Sequence, residues 1–150
     1  MNNFLFKTQT QTNFYDIYTH YISPKLQELD LFLKMQPQPY AISEVSALLD
    51  ISEEDTLQIM HKFQITDIDK NDFFTIIHNS KSYIGTLIIR QFEKSHKHFY
   101  TPASIAFIYD LDITIVEKAF QKLEHKIIDE SQLHMLFKNI VLPKFTFVNF

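Results

Sequence analysis

The stretch "LDISEEDTLQIMHKF", Leu49–Phe63, has the residue pattern of a helix end, a short turn and a second helix. Ser52 can cap the second helix with its hydroxyl group, and the acidic residues Glu53, Glu54 and Asp55 suit the positive end of the helix dipole. The apolar residues that follow recur at helical spacing. The stretch therefore predicts two helices joined by a turn of about three residues.

The same pattern recurs sixty residues later. An ungapped comparison of residues 32–79 with residues 92–139 gives 8 identities in 48 pairs, which is weak by itself. The apolar spacing is the stronger observation, because buried positions keep their spacing when a fold is duplicated. The aligned apolar pairs include Val45 and Ile105, Leu48 and Ile108, Met60 and Phe120, and Phe73 and Leu133. We therefore predict an internal repeat of two units.

Each unit is expected to begin with three helices. The first helix of unit one has Ser23 before Pro24, and a proline is well tolerated at the first helical position. Its counterpart in unit two runs through "SKSYIGTLIIRQFEK", and the third helix there is read as "DITIVEKAFQKLEHK". The predicted N-caps are Ser23, Ser43 and Ser52 in unit one and Thr101 and Asp112 in unit two.

A short extended piece with Ile68 or Ile128 follows the third helix in each unit. Behind Asp69 and Asp129 the apolar residues then recur with helical spacing, and an aspartate is a good N-cap. We therefore expect a short fourth helix in each unit, with a reduced β-hairpin as the alternative. The β-forming residues of "VLPKFTFVNF" predict a terminal strand, for which "NFLF" near the start is a candidate neighbour.

Composition narrows the classes of function. There is no cysteine, which excludes disulfides and cysteine-based zinc sites, and Gly85 is the only glycine, which excludes a glycine-rich phosphate loop. The formal net charge is -4, and Arg90 is the only arginine, so the chain is poorly equipped to read many bases. The sequence shows neither a signal peptide nor the ~18 consecutive apolar residues of a membrane span, so a cytoplasmic protein is expected.

The segments "ISEVSALLDISEEDTLQIMHKF" and "TPASIAFIYDLDITIVEKAFQKLEHKII" together resemble the helix-turn-helix and winged-helix superfamily. In the second segment Leu123, near the end of the third helix, precedes "IID", as in the helix-to-strand pattern of that superfamily. The resemblance covers about residues 24–140. The chain departs from the pattern because it lacks the usual glycine after the recognition helix and a clear wing.

The resemblance implies a mainly α fold of two tandem helix-turn-helix units, with short β segments and a C-terminal strand. The predicted organisation is an N-terminal arm (1–20), unit one (21–80), unit two (81–140) and an aromatic C-terminal strand (141–150). In the superfamily the third helix commonly enters the DNA major groove, although many relatives bind proteins instead.

The charges of the two units favour unit two as the DNA reader. Residues 21–66 contain three basic and seven acidic residues, a balance of -4, whereas residues 81–126 contain seven basic and five acidic residues, a balance of +2. Basic and amide side chains at helical spacing could contact phosphates and base edges. The predicted DNA-binding residues are Thr114, Lys118, Gln121, Lys122, His125 and Lys126, together with Arg90.

The alternative is a protein–protein adaptor or inhibitor that presents acidic unit one to a basic partner. Its predicted partner-binding residues are Glu53, Glu54 and Asp55, with Phe145 and Phe147 of the tail as a docking strand or dimer contact. Carboxylates would repel DNA phosphates, and acids in a first helical turn also stabilise the helix itself. A second copy of the chain is a further candidate partner.

Neither a catalytic nor a metal site is predicted. His96 and His98 form a His-x-His pair in "SHKHF", but no second cluster with fixed spacing completes a metal site. No serine occurs in a nucleophile-elbow context, and no pair of carboxylates is marked out by its surroundings. We expect a non-enzymatic protein without a cofactor.

Overall fold

A computed structural model describes residues 11–94 and 98–143 of the chain. The protein is mainly helical, with a few short antiparallel strands. The helices are α1 (Phe14–Ile17), α2 (Ser23–Met35), α3 (Ile42–Leu49), α4 (Glu53–Lys62), α5 (Lys70–Asn79), α6 (Tyr83–Lys94), α7 (Pro102–Tyr109), α8 (Ile113–Leu123) and α9 (Leu133–Lys138). The strands are β1 (Gln11–Asn13), β2 (Phe99–Tyr100), β3 (Ile128–Asp129) and β4 (Val141–Pro143).

The chain divides into two compact units, each of which is considered by itself. The central unit comprises residues 22–90, and the terminal unit combines the described residues before Ile22 with those after Arg90. The predicted boundaries after residues 20, 80 and 140 rest on sequence similarity, whereas these units are defined by contacts. The contact-defined units therefore do not test the boundaries of the sequence repeat, which stay predictions.

The core of the central unit is built by α2, α3, α4 and α5. The ring of Tyr40 lies 4.6 Å from that of Phe32 and 5.9 Å from that of Phe73, between ring centroids. The backbone of Tyr40 forms an antiparallel bridge with Ile68, in which the Tyr40 N–H donates to the Ile68 carbonyl at 2.8 Å. The buried core residues are Leu29, Tyr40, Val45, Leu49, Met60, Ile68, Phe73, Ile76 and Ile77.

The terminal unit joins its two ends through a small antiparallel sheet. β1 pairs with β4, with Thr12 opposite Leu142. The next residue after β1, Phe14, is fully buried, and its ring makes edge contacts with Tyr109 at 5.4 Å and Phe137 at 5.0 Å. A second sheet pairs β2 with β3, with Tyr100 opposite Ile128.

Three of the five predicted N-caps of the first three helices are confirmed. Ser52 accepts a hydrogen bond from the backbone N–H of Asp55, and Thr101 and Ser104 form a reciprocal capping box. Asp112 caps α8 by accepting from the N–H of Thr114. In both units three residues separate the second helix from the third, as predicted.

Two predicted caps are wrong. Ser23 follows α1 and a π-helical turn, Tyr18–Ile22, without a non-helical residue between them, so it lies inside a helical run. Pro24 cannot donate a backbone hydrogen bond, and the looser π turn directly before α2 accommodates this loss. Ser43 is already the second residue of α3, because the extended cap residue is Ala41.

The predicted fourth helix is confirmed in both units, in place of the alternative hairpin. Asp69 caps α5 with a full capping box, and Asp129 caps a 3-10 turn, Glu130–Gln132, that leads into α9. The predicted terminal strand is confirmed for Val141–Pro143, which pairs with Gln11–Asn13. The rest of that strand, including Phe145 and Phe147, and the "NFLF" segment lie outside the described residues.

Candidate nucleic-acid interface

Three residues, 110–112, join α7 to α8 and fix the start of α8. Asp110 has left-handed backbone (φ 55°), which aspartate tolerates better than most residues, and the N–H of Leu111 donates to the Ala106 carbonyl at 3.0 Å. The hydroxyl and the backbone N–H of Thr114 both donate to the Asp112 carboxylate. These two hydrogen bonds favour the ionised acid and hold the pKa of Asp112 below its usual value. The first turn of α8 is therefore firmly capped.

One face of α8 is buried and the opposite face is polar. Val116, Ala119 and Phe120 enter the core of the terminal unit. The exposed side chains predicted to contact DNA in this helix are Thr114, Lys118, Gln121 and Lys122. Residues three and four apart lie on the same helical face, so α8 brings these four together. We call them the α8 polar face.

The remaining predicted DNA contacts lie elsewhere. Helix α8 ends at Leu123, three residues before the predicted end, because Glu124 has left-handed backbone (φ 59°). His125 and Lys126 are exposed but lie beyond the helix, and His125 Nε2 lies 3.3 Å from Gln132 Nε2. Arg90 is a half-buried residue of α6 in the central unit. The structure thus supports a smaller cluster than the sequence predicted.

The lysines near this face are available for a ligand. Within residues 11–94 and 98–143, no salt bridge engages Lys118, Lys122 or Lys126. Acidic side chains are also present, since Glu117 and Glu124 are exposed. The α8 polar face is therefore weakly basic, which suits a few phosphate contacts better than an extended electrostatic footprint.

The matching helix of the central unit, α4, has the opposite charge at its start. The predicted partner-binding residues Glu53, Glu54 and Asp55 are all exposed in its first turn. Asp55 and Lys81 both line an open surface pocket of about 310 Å³. An adjacent cation can attract a carboxylate, but neither residue is buried. This end of α4 presents negative charge to solvent.

A buried polar contact between α3 and α4 was missed by the sequence analysis. The hydroxyls of Ser46 and Thr56 are hydrogen-bonded at 2.7 Å. Each hydroxyl also lies within hydrogen-bonding distance of a backbone carbonyl, Ile42 at 2.7 Å for Ser46 and Ser52 at 3.2 Å for Thr56, and one of the two donates to its carbonyl while the other donates to its partner hydroxyl. Sixty residues later the same positions hold Ala106 and Val116, which cannot form such a bond. Aligning polar residues at core positions of the two units would have found the pair.

No site for a metal ion was found in the part of the chain that the structure describes: no three histidine or acidic side chains there are grouped to hold one. His96 lies outside that part, so the His-x-His pair stays a sequence observation. Likewise, none of the described helices is both long and apolar enough to cross a membrane.

Comparison of the chain with protein-family models, with curated proteins and with solved structures finds no match.

Proposed function

We propose that the protein is a non-enzymatic DNA-binding regulator, acting in transcription or another DNA transaction, that contacts duplex DNA through the α8 polar face. The observation that carries the proposal is the set of exposed Lys118, Gln121 and Lys122 side chains on the face of α8 opposite its buried residues. Lysines can neutralise phosphates, and a glutamine can read an adenine edge in the major groove.

The local geometry supports a tandem helix-turn-helix reading. Several backbone features of the central unit have a counterpart sixty residues later in the terminal unit. The pairs are left-handed Asp50 and Asp110, left-handed Gln64 and Glu124, and the bridges Tyr40–Ile68 and Tyr100–Ile128. Duplicated helix-turn-helix units would share such turns. On this proposal α8 is the reading helix, and the central unit provides a partner or dimerisation surface.

A fluorescence-anisotropy titration of a labelled 30-base-pair duplex at low salt tests the proposal. Lys118→Glu with Lys122→Glu should weaken binding at least about tenfold and reduce the slope of log K against log salt by about 2, because two phosphate contacts are lost. The matched control is Lys62→Glu with Lys70→Glu, two exposed lysines of the central unit. This control changes the total charge by the same amount and should change the affinity for the duplex by less than about twofold.

Absence of binding at micromolar protein, or equal losses in the two double variants, would reject the α8 interface. The adaptor alternative would then be preferred, and one observation favours it: residues 22–90 contain six basic and ten acidic residues, a balance of -4. A partner captured by the intact protein should then be lost when Glu53, Glu54 and Asp55 are all changed to serine.

A further inference from the structure

An open apolar groove lies between α2 and α3 of the central unit. It has a volume of about 390 Å³, and its lining includes Leu31, Phe32, Met35 and Leu48. Leu31 is 57% exposed and Met35 is 72% exposed, and the two lie one turn apart on α2. Large apolar side chains that remain exposed next to a groove are typical of a binding site.

One position explains why the groove is open. Ala47 of α3 lines it with only a methyl group. The residue sixty positions later in the terminal unit is Phe107 of α7, and the Lys94 ammonium lies 5.3 Å from the centre of its ring. The terminal unit therefore has a bulky ring with a cation over it at the position where the central unit has empty space. The counterpart of Lys94 in the central unit is Lys34, so an occupant of the groove would have to supply only the bulky apolar group.

Two carboxylates line the groove, and the Lys25 ammonium reaches its lining at the Ala47 carbonyl, to which it donates at 3.1 Å. Glu28 and Glu44 are lining residues, and no salt bridge among the described residues engages either of them. The two lysines of α2 form salt bridges with other carboxylates. Lys25 is 3.0 Å from Asp50, and Lys34 is 2.9 Å from Asp30. The contact made by Glu44 is neutral: it accepts a hydrogen bond from the Gln36 amide at 3.4 Å. The groove therefore favours a cationic ligand.

The groove walls favour a helix over an extended peptide. Both walls are α-helices, whose main-chain groups are already hydrogen-bonded within each helix. A strand would gain no main-chain hydrogen bonds there, whereas an amphipathic helix binds through side chains spaced three, four and seven residues apart.

We propose that this groove binds a basic amphipathic helix of a partner protein. The helix places one bulky apolar side chain, a phenylalanine or leucine, against Ala47, and its lysine or arginine side chains lie beside Glu28 and Glu44. The site is separate from the α8 polar face, so it does not depend on DNA binding.

The probe is a fluorescent 18-residue helical peptide with leucine and phenylalanine along one face and lysine at the other positions. Anisotropy with the full-length protein measures its affinity, and ¹H–¹⁵N spectra locate the site. The lysine peptide should bind at least tenfold more tightly than the same peptide with glutamate in place of lysine. The largest shifts should fall on residues 28–36 and 44–48.

Ala47→Phe should lower the affinity for the lysine peptide at least tenfold, because the new ring fills the groove as the Phe107 ring fills the corresponding position. The matched control is Ala103→Phe, the same change at an exposed alanine of α7, which should leave the affinity unchanged. Met35→Ser is a second groove variant and should also lower the affinity for the peptide. Because Met35 is strongly exposed, this variant keeps the test available if Ala47→Phe fails to fold.

The charge requirement has its own control. Glu28→Gln with Glu44→Gln should weaken binding of the lysine peptide at least threefold, whereas Glu93→Gln with Glu117→Gln, the same change at two exposed glutamates outside the groove, should not. Equal losses in the two pairs, or full affinity in both Ala47→Phe and Met35→Ser, would overturn the proposal. So would sedimentation showing a dimer that Met35→Ser dissociates, because the occupant would then be a second copy of the chain.

Discussion

Glu124 ends α8 in the left-handed region of backbone space, and Gln64 has the same conformation after α4. Glycine is the residue most often found in this conformation after a helix, since it has no Cβ to clash with the preceding backbone. The cost for other L-residues is roughly 1–2 kcal/mol. Both Gln64 and Glu124 carry this strain. The turn after α8 is therefore held by the hydrogen bonds around it, such as the bond from the His125 N–H to the Phe120 carbonyl at 3.3 Å.

We therefore predict that Glu124→Gly raises the free energy of unfolding by about 0.5–1 kcal/mol, because relief of backbone strain exceeds the extra freedom of glycine in the unfolded chain. Urea unfolding followed by circular dichroism measures the change. The control Lys118→Gly, in the interior of α8, should instead lower it by about 1 kcal/mol. A destabilised Glu124→Gly variant would show that the glutamate side chain has a stabilising contact.

Among the helices, the pair α3 and α4 and the pair α7 and α8 pack together through different side-chain chemistry. In the central unit α3 and α4 meet at the hydrogen-bonded hydroxyls of Ser46 and Thr56, both of which are buried. In the terminal unit the corresponding residues of α7 and α8 are Ala106 and Val116. A buried hydrogen bond contributes little net stability, but a buried polar group left without its partner is costly.

A double-mutant cycle at this contact should therefore be non-additive. Thr56→Val alone should lower the free energy of unfolding by about 1 kcal/mol, because it removes the hydrogen bond between the two hydroxyls, although Ser46 can still donate to the Ile42 carbonyl. Ser46→Ala with Thr56→Val should cost about 1 kcal/mol less than the sum of the two single changes. Thermal and urea unfolding of the four proteins provide the measurement. Additive losses would mean that the two hydroxyls do not depend on each other.

At the scale of the whole molecule, the terminal unit is assembled from both ends of the described chain. The N–H of Phe14 donates to the Ile140 carbonyl at 2.8 Å, and β1 pairs with β4. The aromatic contacts of Phe14 with Tyr109 and Phe137 then join α1 to α7 and α9. Residues 11–21 thus belong to the unit whose core supports α8.

Phe14→Ala should lower the free energy of unfolding by about 3–5 kcal/mol, because it leaves a large cavity in a fully buried site. Amide hydrogen exchange should show the loss of protection in α8 and α9, which depend on this core. Phe92→Ala is the control, since the Phe92 side chain is 78% exposed, and it should cost much less. Unchanged protection in α9 of the Phe14→Ala protein would contradict the assigned role.

Much of the fold is local and could be predicted from the chain. Ser52, Thr101 and Asp112 cap their helices as expected, because a cap depends on residues only two or three positions apart. Ser23 does not cap a helix, because α1 and the π-helical turn lead directly into α2, and the Tyr18 ring of that turn packs against Phe137 at 4.9 Å, a contact distant in sequence. Of the predicted DNA-binding residues, four remain together on α8, whereas His125 and Lys126 leave the helix at Glu124.

Most helices, the turns between α3 and α4 and between α7 and α8, and the polar side of α8 follow from the local sequence, because periodicity and capping act within a few residues. The segments that complete each core, and the apolar residues that stay exposed, depend on the tertiary structure. Phe14 reaches a core formed more than ninety residues later, and Leu31 and Met35 line an open groove beside Ala47. Such features depend on contacts between residues distant in sequence, and the spacing of apolar residues along one helix does not specify those partners.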